Sequence, residues 1–215
     1  LDQVDMKDYQ AVFFVGGKGA MFDFPGNPKI QELVLQAWST GKVIGAVCHG
    51  PAALVDVKTT SGTYFLQGKQ VSSFTNAEEL FIIPDASSIF PFMLQTKIQE
   101  QKAEFKEGRR YLPNVVRDGR LITGQNPWST WEFAETLVAG MGYTPVPREK
   151  TSEENTLLVL SVFHEKGVKA AKDIIRDFHA SGKPLDNGLL AMHWMVSVMD
   201  TKLNNCFGIL MLLAA

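Results

Sequence analysis

Two adjacent residues have the type and setting for covalent chemistry, Cys48 and His49. They end an almost wholly apolar run, Val43-Ile44-Gly45-Ala46-Val47, and precede Gly50-Pro51-Ala52-Ala53-Leu54. Such a run reads as a strand buried on both faces of a parallel sheet, and Pro51 suits the first turn of a helix. Small residues stand two before and two after the cysteine, Ala46 and Gly50. This small-x-nucleophile-x-small pattern is that of a nucleophile elbow, a tight strand-to-helix turn that pushes one side chain out at the sheet's carboxyl edge. A thiol at a helix amino terminus is favoured as the thiolate. The competing interpretation is a buried cysteine closing a core strand. Strand, small flanks, histidine and helix start coincide here, which favours a nucleophile.

A second candidate is Gly16-Gly17-Lys18-Gly19, which follows the apolar strand Ala11–Val15. It has neither the GxGxxG nor the Walker spacing. The turn is better suited to presenting bare backbone N–H groups to a substrate oxygen. Glu78 and Glu79 read as helix-face charges, and one of them is the fallback if the cysteine site needs a carboxylate. His164, His179 and His193 have no metal-ligand spacing, and Cys206 lies in an apolar stretch as inert filler. No metal and no cofactor are expected.

The elements that must position these residues can be read in order. Asn27 caps and Pro28 starts a helix whose apolar positions Ile30, Leu33, Val34 and Ala37 recur at helical spacing until Gly41. Residues 10–58 thus form a strand–helix–strand–helix unit, the grammar of a doubly wound parallel sheet. A short strand is expected between the turns at Ser61-Gly62 and Gln67-Gly68, and another over Gln70–Phe74, with a helix starting at Thr75. Residues 90–99 carry a helical stripe, and Val115–Thr123 reads as a hairpin around Asp118-Gly119. A helix follows from about Trp128 to Ala139. Residues 144–155 have linker composition. Beyond them, strand 156–163, helix 168–179 and strands 189–199 and 206–213 suggest a small α+β, ferredoxin-like segment over 156–215.

Composition bounds the function. The 215 residues are 45% hydrophobic, enough for an ample core, and the net charge of −2 gives no reason to expect nucleic acid or an anionic membrane as partner. Two distant cysteines fit a reducing, cytoplasmic setting. No run is apolar for long enough to span a bilayer. Leu1 is not a methionine and the first residues resemble no signal or transit peptide, so the chain reads as starting within a longer protein.

Four segments together resemble the ThiJ/PfpI superfamily, in its glyoxalase III and stress-chaperone branch. They are Asp8–Gly17, Gly19–Asp23, Ala46–Leu54 and Asp118–Pro127, collinear over about residues 1–143. The resemblance implies a flavodoxin-like sandwich, of the class I glutamine amidotransferase kind, and cofactor-independent conversion of methylglyoxal, a small aldehyde, to D-lactate. It makes Cys48 the nucleophile, His49 its acid/base partner, and the Gly16-Gly17 turn with the Gly17 and His49 amides the oxyanion pocket. The family's opening strand–helix unit, with a glutamate that bonds the cysteine, has no counterpart in 1–143. The place of an aspartate that orients the histidine in some members falls at Asn76, and Lys18 stands where relatives often have histidine. A related cysteine amidase or deglycase, and a stress holdase or scaffold with a degenerate site, are the alternative functions. A homodimer formed through residues 156–215 is expected.

Overall fold

The computed structural model describes residues 4–214; Leu1, on which the reading of the chain's start rests, lies outside them. The chain divides into two compact units, one reaching to Pro145 and the other starting at Val146.

In the first unit, β1 (Ala11–Phe14) leads through the glycine turn to α1 (Ala20–Asp23) and α2 (Pro28–Ser39), and then to β2 (Val43–Val47). The capping of α2 follows from its sequence: Asn27 Oδ1 accepts the N–H groups of Lys29 and Ile30 at 3.0 and 3.3 Å. The predicted stripe Ile30, Leu33, Val34 and Ala37 is the face it buries. A long excursion follows, through β3 (Gln70–Val71), α3 (Asn76–Ile82), α4 (Ala86–Ile89), α5 (Leu94–Glu100) and β4 (Glu104–Phe105). The chain returns as the hairpin β5 (Val115–Asp118) and β6 (Leu121–Gly124), and α6 (Thr130–Gly140) closes the unit.

The main sheet has the order β1-β2-β6-β5. β1, β2 and β6 run parallel, while β5 pairs antiparallel with β6. Every residue of β2 is buried, as its unbroken apolar run requires for a central strand. Its side chains alternate between two cores. Ile44 and Ala46 join the larger cluster with Phe14, Val34 and Leu121. Val43 and Val47 meet Ile122 and Phe133, the latter on α6. Helices therefore cover both faces, as in the flavodoxin-like sandwich that the family resemblance implies.

Three local expectations are corrected. The segment after Cys48 is a four-residue 3-10 turn, Gly50–Ala53, not an α-helix. The short strand expected near 62–67 is only an isolated bridge between Lys58 and Tyr64. The helix expected over 90–99 begins later, with α5, and α4 precedes it.

The second unit departs further from expectation. The predicted α+β, ferredoxin-like segment over 156–215 is helical throughout its regular elements: α7 (Ser152–Ala180), interrupted at Gly167 (φ 84°), α8 (Asn187–Met199) and α9 (Leu203–Leu213). The error has a physical source. A continuous apolar run gives no period with which to tell a buried strand from a buried helix, and length must decide. At 13 and 11 residues α8 and α9 are long for strands. The expected linker also hides a capping box: Thr151 Oγ1 accepts from Glu154 N–H at 3.3 Å while Glu154 Oε2 accepts from Thr151 N–H at 2.9 Å. The α7 helix therefore begins inside the 144–155 stretch. Among the described residues no helix is long and apolar enough to cross a membrane.

Candidate functional site

Cys48 stands where β2 ends, with its backbone in the left-handed region at φ 62°. That conformation costs a non-glycine residue about 1 kcal/mol and must be held by its surroundings. Two hydrogen bonds hold it. The Cys48 N–H donates to Gly124 C=O at 2.8 Å, at the end of β6, and the Cys48 C=O accepts from Phe74 N–H at 2.9 Å. The glycines around the cysteine have a visible purpose. A Cβ on Gly16 would fall 2.7 Å from Cys48 Cβ, and one on Gly50 would fall 2.2 Å from Phe14 O. The glycine turn after β1 and the elbow after β2 are thus packed directly on each other. The backbone has the sharp left-handed turn of an elbow, although a single 3-10 turn supplies much less dipole than the expected helix.

The positive partner of the thiol is the neighbouring side chain. His49 Nδ1 lies 3.4 Å from Cys48 Sγ, and His49 Nε2 lies 2.5 Å from Glu79 Oε2. Phe74 and Phe90 flank the imidazole, with ring centroids 4.7 and 6.2 Å away. The ring is only 3% exposed. Burial alone would push its pKa down, but hydrogen bonds to Cys48 and Glu79, with their charges, outweigh it and raise the value from 6.5 to about 9. At neutral pH the ring is therefore an imidazolium, donating one N–H to the carboxylate and turning the other toward sulfur.

Glu79 is the site residue that sequence reasoning undervalued. It is 4% exposed, not a helix-face charge, and its Oε1 has no hydrogen-bond partner among the described residues. Glu78 is also buried, so both face readings are corrected. Asn76 does not take the place of an orienting carboxylate. Its N–H donates to Gln95 Oε1 at 2.7 Å and its Nδ2 to Thr96 Oγ1 at 2.8 Å, tying the start of α3 to α5. The signal present was the box Thr75-Asn76-Ala77-Glu78 just after β3, which fixes where α3 starts but not what its side chains face.

The other candidates are placed as follows. Gly17, at φ 113°, sits beside Gly16 on the turn that packs against the elbow. Among the described residues no acceptor engages the Gly17 or His49 backbone N–H. Cys206 is a buried free thiol on α9, and His193 is buried on α8. Among the described residues no group of three or more His, Cys, Asp or Glu side chains could hold a metal ion.

A left-handed cysteine at the carboxyl edge of a doubly wound sheet, backed by a buried histidine–carboxylate pair, defines a cysteine-elbow α/β protein. The particular family is settled by comparison: the DJ-1/PfpI family model matches residues 1–140, and the chain belongs to that family. It is 33% identical over 138 residues to a probable glutathione-independent glyoxalase of Schizosaccharomyces pombe, covering 63% of this chain and 62% of the relative. It is 34% identical over 142 residues to the glutathione-independent glyoxalase HSP31 of Saccharomyces cerevisiae, covering 61% and 57%. Among solved structures, glyoxalase III of Candida albicans matches with a TM-score of 0.60 at 29% identity, over 65% of this chain and 60% of that one. A rapid encystment protein of Francisella tularensis matches with a TM-score of 0.63 at 36% identity, over 65% and 61%. The chain spans about three fifths of the length of the curated relatives it matches.

Proposed function

We propose that the chain carries a glutathione-independent glyoxalase site that converts methylglyoxal to D-lactate, with Cys48 as nucleophile and His49 as acid and base. The observation that carries this reading is the unbroken line from Cys48 Sγ through the His49 ring to Glu79 Oε2. The sulfur adds to the aldehyde carbon, and the imidazolium gives its proton to the resulting alkoxide. The Gly17 and His49 amides are the donors proposed for the developing oxyanion. Neutral His49 then takes the carbon-bound proton from the aldehyde carbon and returns it to the neighbouring carbonyl carbon, while the hydroxyl proton passes to the second oxygen. The product is a thioester, which water cleaves to lactate and free thiol. Glu79 supports the charged ring throughout. D-lactate formation by the chain and by its Cys48→Ala variant tests the reading. Equal activity in the two would overturn it.

A second reading, a holdase or scaffold, has its own observation. Met195, Val198 and Met199 on α8 and Leu203, Phe207, Leu210 and Met211 on α9 are exposed apolar residues, more than a solitary surface normally shows on one helix pair. Asp200 and Lys202, which lie between these helices, pair with each other at 3.3 Å, so a second copy of this face meets little repulsion. We therefore infer a homodimer using α8 and α9, and propose a cytoplasmic setting from the two free, distant cysteines. Sedimentation of Phe207→Lys as an unchanged dimer would remove this interface, and suppression of client aggregation by Cys48→Ala without any turnover by the parent chain would favour the holdase.

A further inference from the structure

Glu78 is completely buried and has no part in the chemistry above. Its Oε1 accepts from Tyr111 N–H at 2.8 Å, Asn126 Nδ2 at 2.9 Å and Gln125 Nε2 at 3.1 Å. Its Oε2 accepts from the hydroxyl and N–H of Thr75, at 3.0 and 3.1 Å. The Tyr111 hydroxyl adds a bond to the Glu78 C=O at 3.1 Å. Tyr111 is itself fixed, with φ 59° and its ring between those of Phe81 and Trp128. All five groups at the carboxylate are donors, a set that an acceptor-only side chain satisfies and an amide does not.

These partners lie on segments that also build the site. Gln125 and Asn126 directly follow Gly124, whose C=O receives the Cys48 N–H. Glu78 and Glu79 are neighbours on α3, turned about 100° apart around its axis, so one faces this cluster while the other faces His49. The Glu79 carboxylate has one partner only, because its Oε1 is unbonded among the described residues. Its aim is set by where α3 sits. A closed circuit results, running from Cys48 to Gly124, Gln125 and Asn126, to Glu78, to Glu79, to His49 and back to Cys48.

We propose that Glu78 is a positioning residue of the Cys48 site: its carboxylate locks the first turn of α3 to the Tyr111 loop and to the end of β6, and so fixes the direction from which Glu79 meets His49. The proposal rests on Cys48, His49 and Glu79 forming the active site. The test therefore reads His49 directly, so that failure of the glyoxalase reading and failure of this one are told apart. The groups facing the ring are Cys48, Glu79, Phe74 and Phe90.

The experiment is an NMR titration of the His49 imidazole in the full chain, Glu78→Gln, Glu79→Gln and the double variant, with folding checked by circular dichroism. The signal is assigned by its loss in His49→Gln. The expected result is a midpoint lowered by about one pH unit or more in Glu78→Gln, a tenfold or greater change in proton affinity. No further lowering is expected when Glu78→Gln is added to Glu79→Gln. A residue that serves stability alone leaves the midpoint in place. A folded Glu78→Gln that titrates like the parent, or an equal added drop in the Glu79→Gln background, overturns the proposal. If Glu78→Gln does not fold, Gln125→Leu removes one donor, the Gln125 Nε2–H, from the Glu78 carboxylate. A smaller shift in the same direction is then expected, and an unchanged midpoint overturns the proposal equally.

Discussion

His49 Nε2 meets Glu79 Oε2 at 2.5 Å, joining two almost fully buried side chains 30 positions apart in the chain. The contact supplies the histidine-orienting carboxylate three residues beyond Asn76, where the family resemblance puts it. It also helps keep the buried ring charged: against burial, the contacts to Cys48 and to Glu79 together raise its pKa.

Glu79→Gln keeps the shape of this contact and removes its charge. Burial and the Cys48 contact remain while the Glu79 contribution goes, so the imidazole holds its proton less tightly. Turnover of methylglyoxal is expected to fall by about 10²-fold or more, the usual contribution of one positioned acid/base, with KM little changed. Steady-state kinetics of D-lactate formation check it, and a variant with the parent's kcat would remove Glu79 from the mechanism.

Folding stability should depend on the same proton. The His49 pKa is raised from 6.5 to about 9 on folding, so the folded chain binds that proton more tightly than the unfolded chain does. The contribution is therefore complete below about pH 6.5 and is lost as pH rises through about 9. Its full size is on the order of 3 kcal/mol. Urea midpoints measured between pH 6 and 10 should fall with rising pH in the parent. His49→Gln should lack this component, and parallel pH curves for the two would contradict the assignment.

The two thiols should differ in reactivity. Cys48 is half-buried at the elbow beside an imidazolium, whereas Cys206 is buried in the apolar α9. Limited iodoacetamide treatment near neutral pH is expected to modify Cys48 first, as peptide mass mapping can show. Earlier labelling of Cys206 would count against an activated elbow.

How much of this was legible depended on whether the information was local. The elbow was, since apolar run, small flanks and proline lie within 12 residues, and Val43–Val47 is buried as read. Asn27 capped α2 as read, and the Asp118-Gly119 hairpin formed. Glu79 was not legible as a site residue because its role depends on how α3 packs beside a strand end far away in sequence. Nothing in Glu78-Glu79 itself tells which carboxylate faces His49 and which is enclosed by Tyr111, Gln125 and Asn126. The second unit failed for the opposite reason. The local signals are present, in the Thr151–Glu154 box and in the Asp186 cap on Leu189 N–H, but the continuous apolar runs of α8 and α9 have the same pattern as buried strands.

The remaining prediction concerns the packing that makes the elbow possible. A Cβ on Gly50 would lie 2.2 Å from Phe14 O and 3.0 Å from its carbonyl carbon. Both are backbone atoms of β1, so no rotamer change can relieve the overlap, and the strand or the elbow has to move. Gly50→Ala is expected to lose roughly 1–3 kcal/mol, as overpacked sites do. Cys48 alkylation should slow as well, because the shift is centred two residues from the sulfur. Gly17→Ala provides the contrast. A Cβ there meets nothing within 4 Å, but φ is 113°, so that variant loses stability through backbone strain with no clash against β1. Urea denaturation of the parent and both variants, with alkylation rates measured on the same samples, separates the two effects. A Gly50→Ala chain as stable and as readily alkylated as the parent would mean that β1 and the elbow do not pack at this distance.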